Sequence, residues 1–254
     1  MKIYSIALNT IREAIRSRIL YLLLIFALLM IASSRIVSLL TVGDELKIIK
    51  DIGLISISFF GVLMAVFIGI GLVSKEIEKR TIHNIISKPI QRYQFLLGKY
   101  FGLLLTLLIN IGIMTILFLS VIYFKSGSWE LSMLKAIMLF FFELVIIIAV
   151  AILFSTFTTP ILSSVFTLAI YIMGQLTPNL LLLREKVSGI IARTTLLILY
   201  FLLPNLQNLN IKNEIVHNIT INNQFIFFAI AYSLTYATVV VLLAILLFQK
   251  KDFI

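Results

Sequence analysis

Few side chains in this protein are able to do chemistry, and their types and spacing narrow what it can do. There are two histidines, His83 and His217, three aspartates, Asp44, Asp51 and Asp252, and no cysteine. Thiolate metal sites and disulfides are therefore excluded, and the two histidines fall in a cytoplasmic and an outer loop respectively, which gives poor support to a metal site. Magnesium-dependent transfer to isoprenoid phosphates needs clustered aspartates, and these three are not clustered. No phosphate-cradling loop of the GxxxxGK[ST] kind occurs, so nucleotide hydrolysis by that route is absent from the chain. The chain reads as no enzyme on its own, and energy for any work must come from a partner or a gradient.

Two charges stand inside apolar runs, Arg35 and Glu143. With a rise of 1.5 Å per residue, Arg35 lies roughly 24 Å above residue 19, and Glu143 lies about 10 Å below residue 136. Both depths fall near the outer edge of a hydrocarbon core about 30 Å thick. A buried charge at such depth is costly, so the expectation is an ion pair between Arg35 and Glu143 joining the first and fourth spans. Arg35 can instead snorkel to the headgroups.

The remaining polar chemistry is concentrated in one interruption, Ser74 to Lys99, which reads SKEIEKRTIHNIISKPIQRYQFLLGK. It carries six basic residues, Lys75, Lys79, Arg80, Lys88, Arg92 and Lys99, with Glu76 and Glu78 among them. Thr81 is placed to cap a short helix with Ile82, Ile85 and Ile86 on one face and His83, Asn84 and Ser87 on the other. Pro89 stops it, because the residue before a proline is pushed out of the helical region. Basic residues beside a span follow from the positive-inside bias alone. That bias does not explain the amphipathic helix, the proline stop or the two carboxylates, which suit a docking surface of mixed charge.

The elements that must hold this stretch are apolar helices. The 254 residues are 61% hydrophobic with a mean hydropathy of +1.13, far above the roughly 45–50% apolar usage of soluble domains, which makes this an all-α integral membrane protein. Runs at 19–40, 52–73, 100–124, 136–157, 161–176 and 225–248 give six spans. The first is read as a retained span and not a signal peptide. Residues 1–18 place Ile3, Ala7, Ile11 and Ile15 at a spacing of four, which suits an amphipathic helix in the interface. Residues 177–224 read as short outer helices that dip into the membrane edge; a seventh span over 180–203 is the alternative. Twelve of the 21 basic residues fall in the segments on the N-terminal side of the membrane, so both termini are expected in the cytoplasm. The net charge of +10 is accounted for by this bias, and no stretch is long enough to build a nucleic-acid-reading domain.

At Glu78, Arg80, Thr81, Ser87, Lys88, Pro89, Ile90, Arg92, Leu97, Gly98 and Lys99 the sequence resembles the E-x-x-T…P-[IV]-x-R…G-K signature of ABC-2-type transporter permeases. Arg80 stands where many relatives have glycine. The nearest branch resembles permeases of multicopper-enzyme maturation and gliding motility, and the likeness extends over nearly the whole chain. It implies a single transmembrane domain over 1–254 in the inner or plasma membrane, paired with a second copy or a closely related permease. It further implies two separate ATPase subunits that bind ATP and magnesium, with no cofactor in this chain. A coupling helix seated on the ATPase would carry Glu78, Arg80, Thr81, Ile82, Asn84, Ile85 and Pro89, flanked by Arg92 and Lys99.

Three functions follow as expectations. The first is a permease exporting or extracting a substrate along a dimer interface. The second is non-transporting transmission of ATPase motion to outer partners, which the long 177–224 segment keeps open. The third is an ion-coupled carrier, for which only Arg35 and Glu143 supply intramembrane charge.

Overall fold

Hydrocarbon offers no partner to a backbone N–H or C=O, so apolar runs of this length fold as helices that bond internally. The computed structural model describes residues 2–39, 44–78, 91–187, 189–217 and 219–250, and for 72–78 and 250 the backbone alone. Among these residues there is no strand. The order is α1 Lys2–Ile15, α2 Arg18–Leu39, α3 Glu45–Glu78, α4 Arg92–Ser126, α5 Ser132–Phe157, α6 Pro160–Gln175, α7 Thr177–Lys186, α8 Ile190–Leu202, a 3-10 turn Leu206–Leu209, α9 Lys212–Val216 and α10 Asn223–Lys250.

The most apolar helix is the central one. In α5, 72% of the most hydrophobic window is buried, against 22% in α2 at the periphery. Helices α3 and α10 pack on α5, and α2 packs chiefly on α3 and α4. Leu139, Leu144, Ile146, Ile147, Ile148 and Ala151 are closed off from solvent on every side, which an all-round apolar sequence requires.

Helices α3 and α4 outrun the apolar runs that announce them, at 34 and 35 residues. Their polar ends are stabilised outside the span. At one end of the bundle Lys50 pairs with Glu130, and Lys125 with Glu45. At the same end Lys135 Nζ donates to Asn223 Oδ1 at 3.4 Å, bringing the start of α5 to the start of α10. At the opposite end, the start of α4 meets both α1 and the last turn of α10. The N-terminal helix and the end of α10 therefore share one end of the bundle, and the number of crossings is even.

Among the described residues, six stretches have the length and apolarity to span: α2, residues Glu45–Gly71 of α3, α4, α5, Ile190–Val216 and Asn223–Gln249. Here the structure departs from the spans read from hydropathy. Helix α6 has 16 residues and qualifies only together with α7, from which it is bent by 63°. Ile190–Val216 is not one helix: it breaks after Leu202, runs through the 3-10 turn and ends in α9, which packs on α3 and α5. The break is held at the far end of α6, where Thr177 Oγ1 donates to Pro204 O at 3.3 Å and Leu206 crowds Gly174.

The N-terminal helix is present as expected, and the structure adds the face by which it packs on the bundle. The buried residues of α1 are Ala7, Thr10 and Ala14, while Ile15 is 45% exposed. The face that packs is the one with small side chains, because α1 lies against a helix and not only against lipid.

Candidate functional site

The polar interruption enters the described structure at Glu78, the last described residue of α3, and at Arg92, which opens α4. Arg80, Thr81, Ile82, Asn84, Ile85 and Pro89 lie outside the described residues, as does the side chain of Glu78. Arg92 and Lys99 are described, and both turn inward.

Gln91 caps α4, its backbone N–H donating to Gln94 Oε1 at 3.3 Å. One residue on, Arg92 Nη1 donates to Gln249 O at 2.8 Å and to Phe248 O at 3.2 Å. These carbonyls belong to the last described turn of α10, and a cation is favoured near a helix C-terminus by the helix dipole. Phe95 stacks on Phe248 with ring centroids 6.2 Å apart, so the first turn of α4 and the last of α10 are joined by both polar and aromatic contact.

Lys99 lies one turn further in and is 1% exposed. Its ammonium reaches Glu13 Oε2 of α1 at 3.1 Å and sits 5.9 Å from the Phe95 ring centroid. What brings α1 this close is the pair Gly98 and Gly102. A Cβ at Gly98 would lie 2.6 Å from Ile6 Cβ, and one at Gly102 would lie 2.6 Å from Thr10 Cβ and 2.8 Å from Ala7 O. This is the GxxxG arrangement, in which two missing side chains let backbones approach. The signal was readable in the sequence as Gly98-Lys99-Tyr100-Phe101-Gly102.

The second expected site is corrected. Glu143 does not pair with Arg35. Arg35 is exposed on α2, while Glu143 is fully buried in α5 and its Oε1 accepts from Gln175 Nε2 of α6 at 2.6 Å. The cation whose field acts on Glu143 is Lys212 of α9, whose Nζ lies 5.4 Å from the Phe140 ring centroid, one helical turn from Glu143. Among the described residues Glu143 Oε2 has no hydrogen-bond partner. Matching depth is not sufficient for pairing, because two residues at one level can face different neighbours around their helices.

Among the described residues no group of His, Asp or Glu could hold a metal ion. The arrangement is thus a multi-span helical membrane protein whose loop-bearing end is tied to both of its terminal helices. The family model for ABC-2 family transporter proteins matches residues 4–253, and the chain belongs to that family. It is accordingly a multi-pass membrane permease of an ABC transporter. Against curated proteins the chain has no match.

Proposed function

We propose that this chain exports or extracts a substrate along an interface between two permease copies, powered by separate ATPase subunits that dock on residues 74–99. In this reading α1, the 74–99 stretch and the end of α10 face the cytoplasm of a cell whose inner or plasma membrane holds the protein. Glu78, Arg80, Thr81, Ile82, Asn84, Ile85 and Pro89 form the docking surface.

The observation that supports it is the anchoring of α4 directly after that stretch. Arg92 holds α10, while Gly98, Lys99 and Gly102 hold α1, so a push on the chain before residue 91 is carried into three helices together. A loop that merely reversed the chain would have no use for such bracing.

The test is purification of the tagged chain from its native membrane with ATP hydrolysis as readout. An ATPase subunit is expected to copurify. Glu78→Lys or Arg80→Glu is expected to lower assembly or hydrolysis while membrane insertion is unchanged, since like-charge contact at a docking surface costs several kcal/mol. Wild-type hydrolysis and transfer in both variants would remove the coupling role from these residues.

A further inference from the structure

Helix α8 is the least covered helix in the bundle. None of its residues is buried, and Ile190, Ile191 and Phe201 are 84%, 84% and 75% exposed. It packs on α7, and its far end is pinned where Tyr236 Oη donates to Leu202 O at 2.9 Å. Tyr236 lies thirteen residues into α10, roughly 20 Å along its axis from Asn223, and so near the middle of the apolar run 225–248. The C-terminal end of α8 is therefore at mid-depth. Thr177, at the start of α7, is held to the same level through Pro204 O.

From that level α7 and α8 run 10 and 13 residues to a shared tip. Thirteen helical residues span roughly 20 Å, enough to cover the roughly 15 Å from the bilayer midplane to the headgroups. The charges are gathered at this tip. Arg184 and Lys186 end α7, and Arg193 lies in the first turn of α8 with its Nε donating to Val187 O at 2.7 Å. Arg184, Glu185 and Arg193 line one shallow depression with Leu181. All three cations are exposed, and among the described residues no carboxylate makes an ion pair with any of them.

This is an exposed helical hairpin with three cations against one carboxylate, Glu185, at its end, at the opposite side from the loop that carries six of the 21 basic residues. The positive-inside bias does not account for cations there, and three cations against the carboxylate of Glu185 leave the tip net positive. We propose that Arg184, Lys186 and Arg193 bind phosphate groups of anionic phospholipids in the leaflet opposite the α1 end. The apolar faces of α7 and α8 lie among the acyl chains of the same lipids. Guanidinium groups suit this contact because their planar fork pairs two phosphate oxygens at once. The inference rests on the membrane-spanning reading and not on ATPase coupling.

The test uses the full chain in vesicles of phosphatidylcholine and phosphatidylglycerol, with its single tryptophan replaced (Trp129→Phe) and a reporter at the tip (Ile191→Trp). Quenching by brominated phosphatidylglycerol is compared with quenching by brominated phosphatidylcholine. The expected result is a preference for the anionic lipid of roughly fivefold or more at Ile191→Trp. The preference is lost when Arg184, Lys186 and Arg193 become Gln and kept when both arginines become Lys. A mid-span reporter, Ile116→Trp, is expected to show no preference. Equal quenching by both lipids at the tip would overturn the proposal, as lipid would then be only a solvent there. Absence of quenching at the tip with normal quenching at Ile116→Trp would also overturn it, by placing protein over the hairpin. Quenching at neither reporter would remove the membrane-spanning reading itself. None of these readings depends on ATP hydrolysis, so a failure of ATPase docking leaves them intact.

Discussion

Lys99 and Glu13 face each other at 3.1 Å across the α4–α1 contact, the lysine buried and the carboxylate one-third exposed. Their partnership turns a residue of the loop's own signature into the bolt that fixes the N-terminal helix. A buried ammonium that loses one of its partners keeps its desolvation cost, whereas a carboxylate that reaches solvent loses less on losing its partner. Glu13→Gln is therefore expected to destabilise the fold by about 1–3 kcal/mol. Lys99→Met, which removes the buried charge and keeps the stem, is expected to cost less. Thermal unfolding of both variants in detergent checks the order; a milder Glu13→Gln than Lys99→Met would contradict it.

Gly98 and Gly102 set the distance at which that bolt works. Any side chain at either position meets Ile6, Thr10 or the α1 backbone below 3 Å, so the helices must separate. Gly102→Leu is expected to lower stability by at least about 1–3 kcal/mol, as overpacking does, and to make α1 accessible to protease while the remaining spans stay inserted. Limited proteolysis of membranes carrying the variant is the measurement. Protection of α1 equal to wild type would mean that the close approach is not what holds it.

The sidedness of the bundle has its own test. Asn213 is exposed on α9, at the end where Lys135 meets Asn223, and the chain has no cysteine. Asn213→Cys is expected to react with an impermeant thiol reagent in intact cells, and Ser5→Cys in α1 only after permeabilisation. The reverse pattern would invert the proposed orientation while leaving the helix packing as it stands.

The spans were legible in the sequence because a run of about 20 apolar residues has few alternatives to a transmembrane helix. The continuation of α3 and α4 beyond those runs was not, since the pairs Lys50–Glu130 and Lys125–Glu45 that support it are contacts between segments. For α1, a spacing of four gave the interfacial helix through Ile3, Ala7, Ile11 and Ile15, but not the face that packs on the bundle, which is Ala7, Thr10 and Ala14. Hydropathy ranks the large residues first, and a glycine-lined partner favours the small ones. The roles of Arg92 and Lys99 were obscured in a similar way: a basic residue beside a span reads as solvated, and only the fold shows that these two point at α10 and α1.

Depth along a helix is set by residue number, but the direction a side chain faces within the bundle depends on packing, and that distinction decides the last prediction. Glu143 was matched to Arg35 on depth, yet it sits with Gln175 and within the field of Lys212, on a face of α5 that α6 and α9 cover. Double-mutant cycles separate the two partners. Glu143→Gln combined with Lys212→Met is expected to show a coupling of roughly 0.5–3 kcal/mol, the range for groups that share a site. Glu143→Gln combined with Arg35→Gln is expected to be additive within roughly 0.3–0.5 kcal/mol, as for residues with no common partner. Arg35→Gln alone, at an exposed position, should change stability by no more than about 0.5 kcal/mol. Coupling with Arg35 and additivity with Lys212 would restore the ion pair that depth suggested, and would require it to form between two copies of the chain, because within one copy Arg35 and Glu143 make no ion pair.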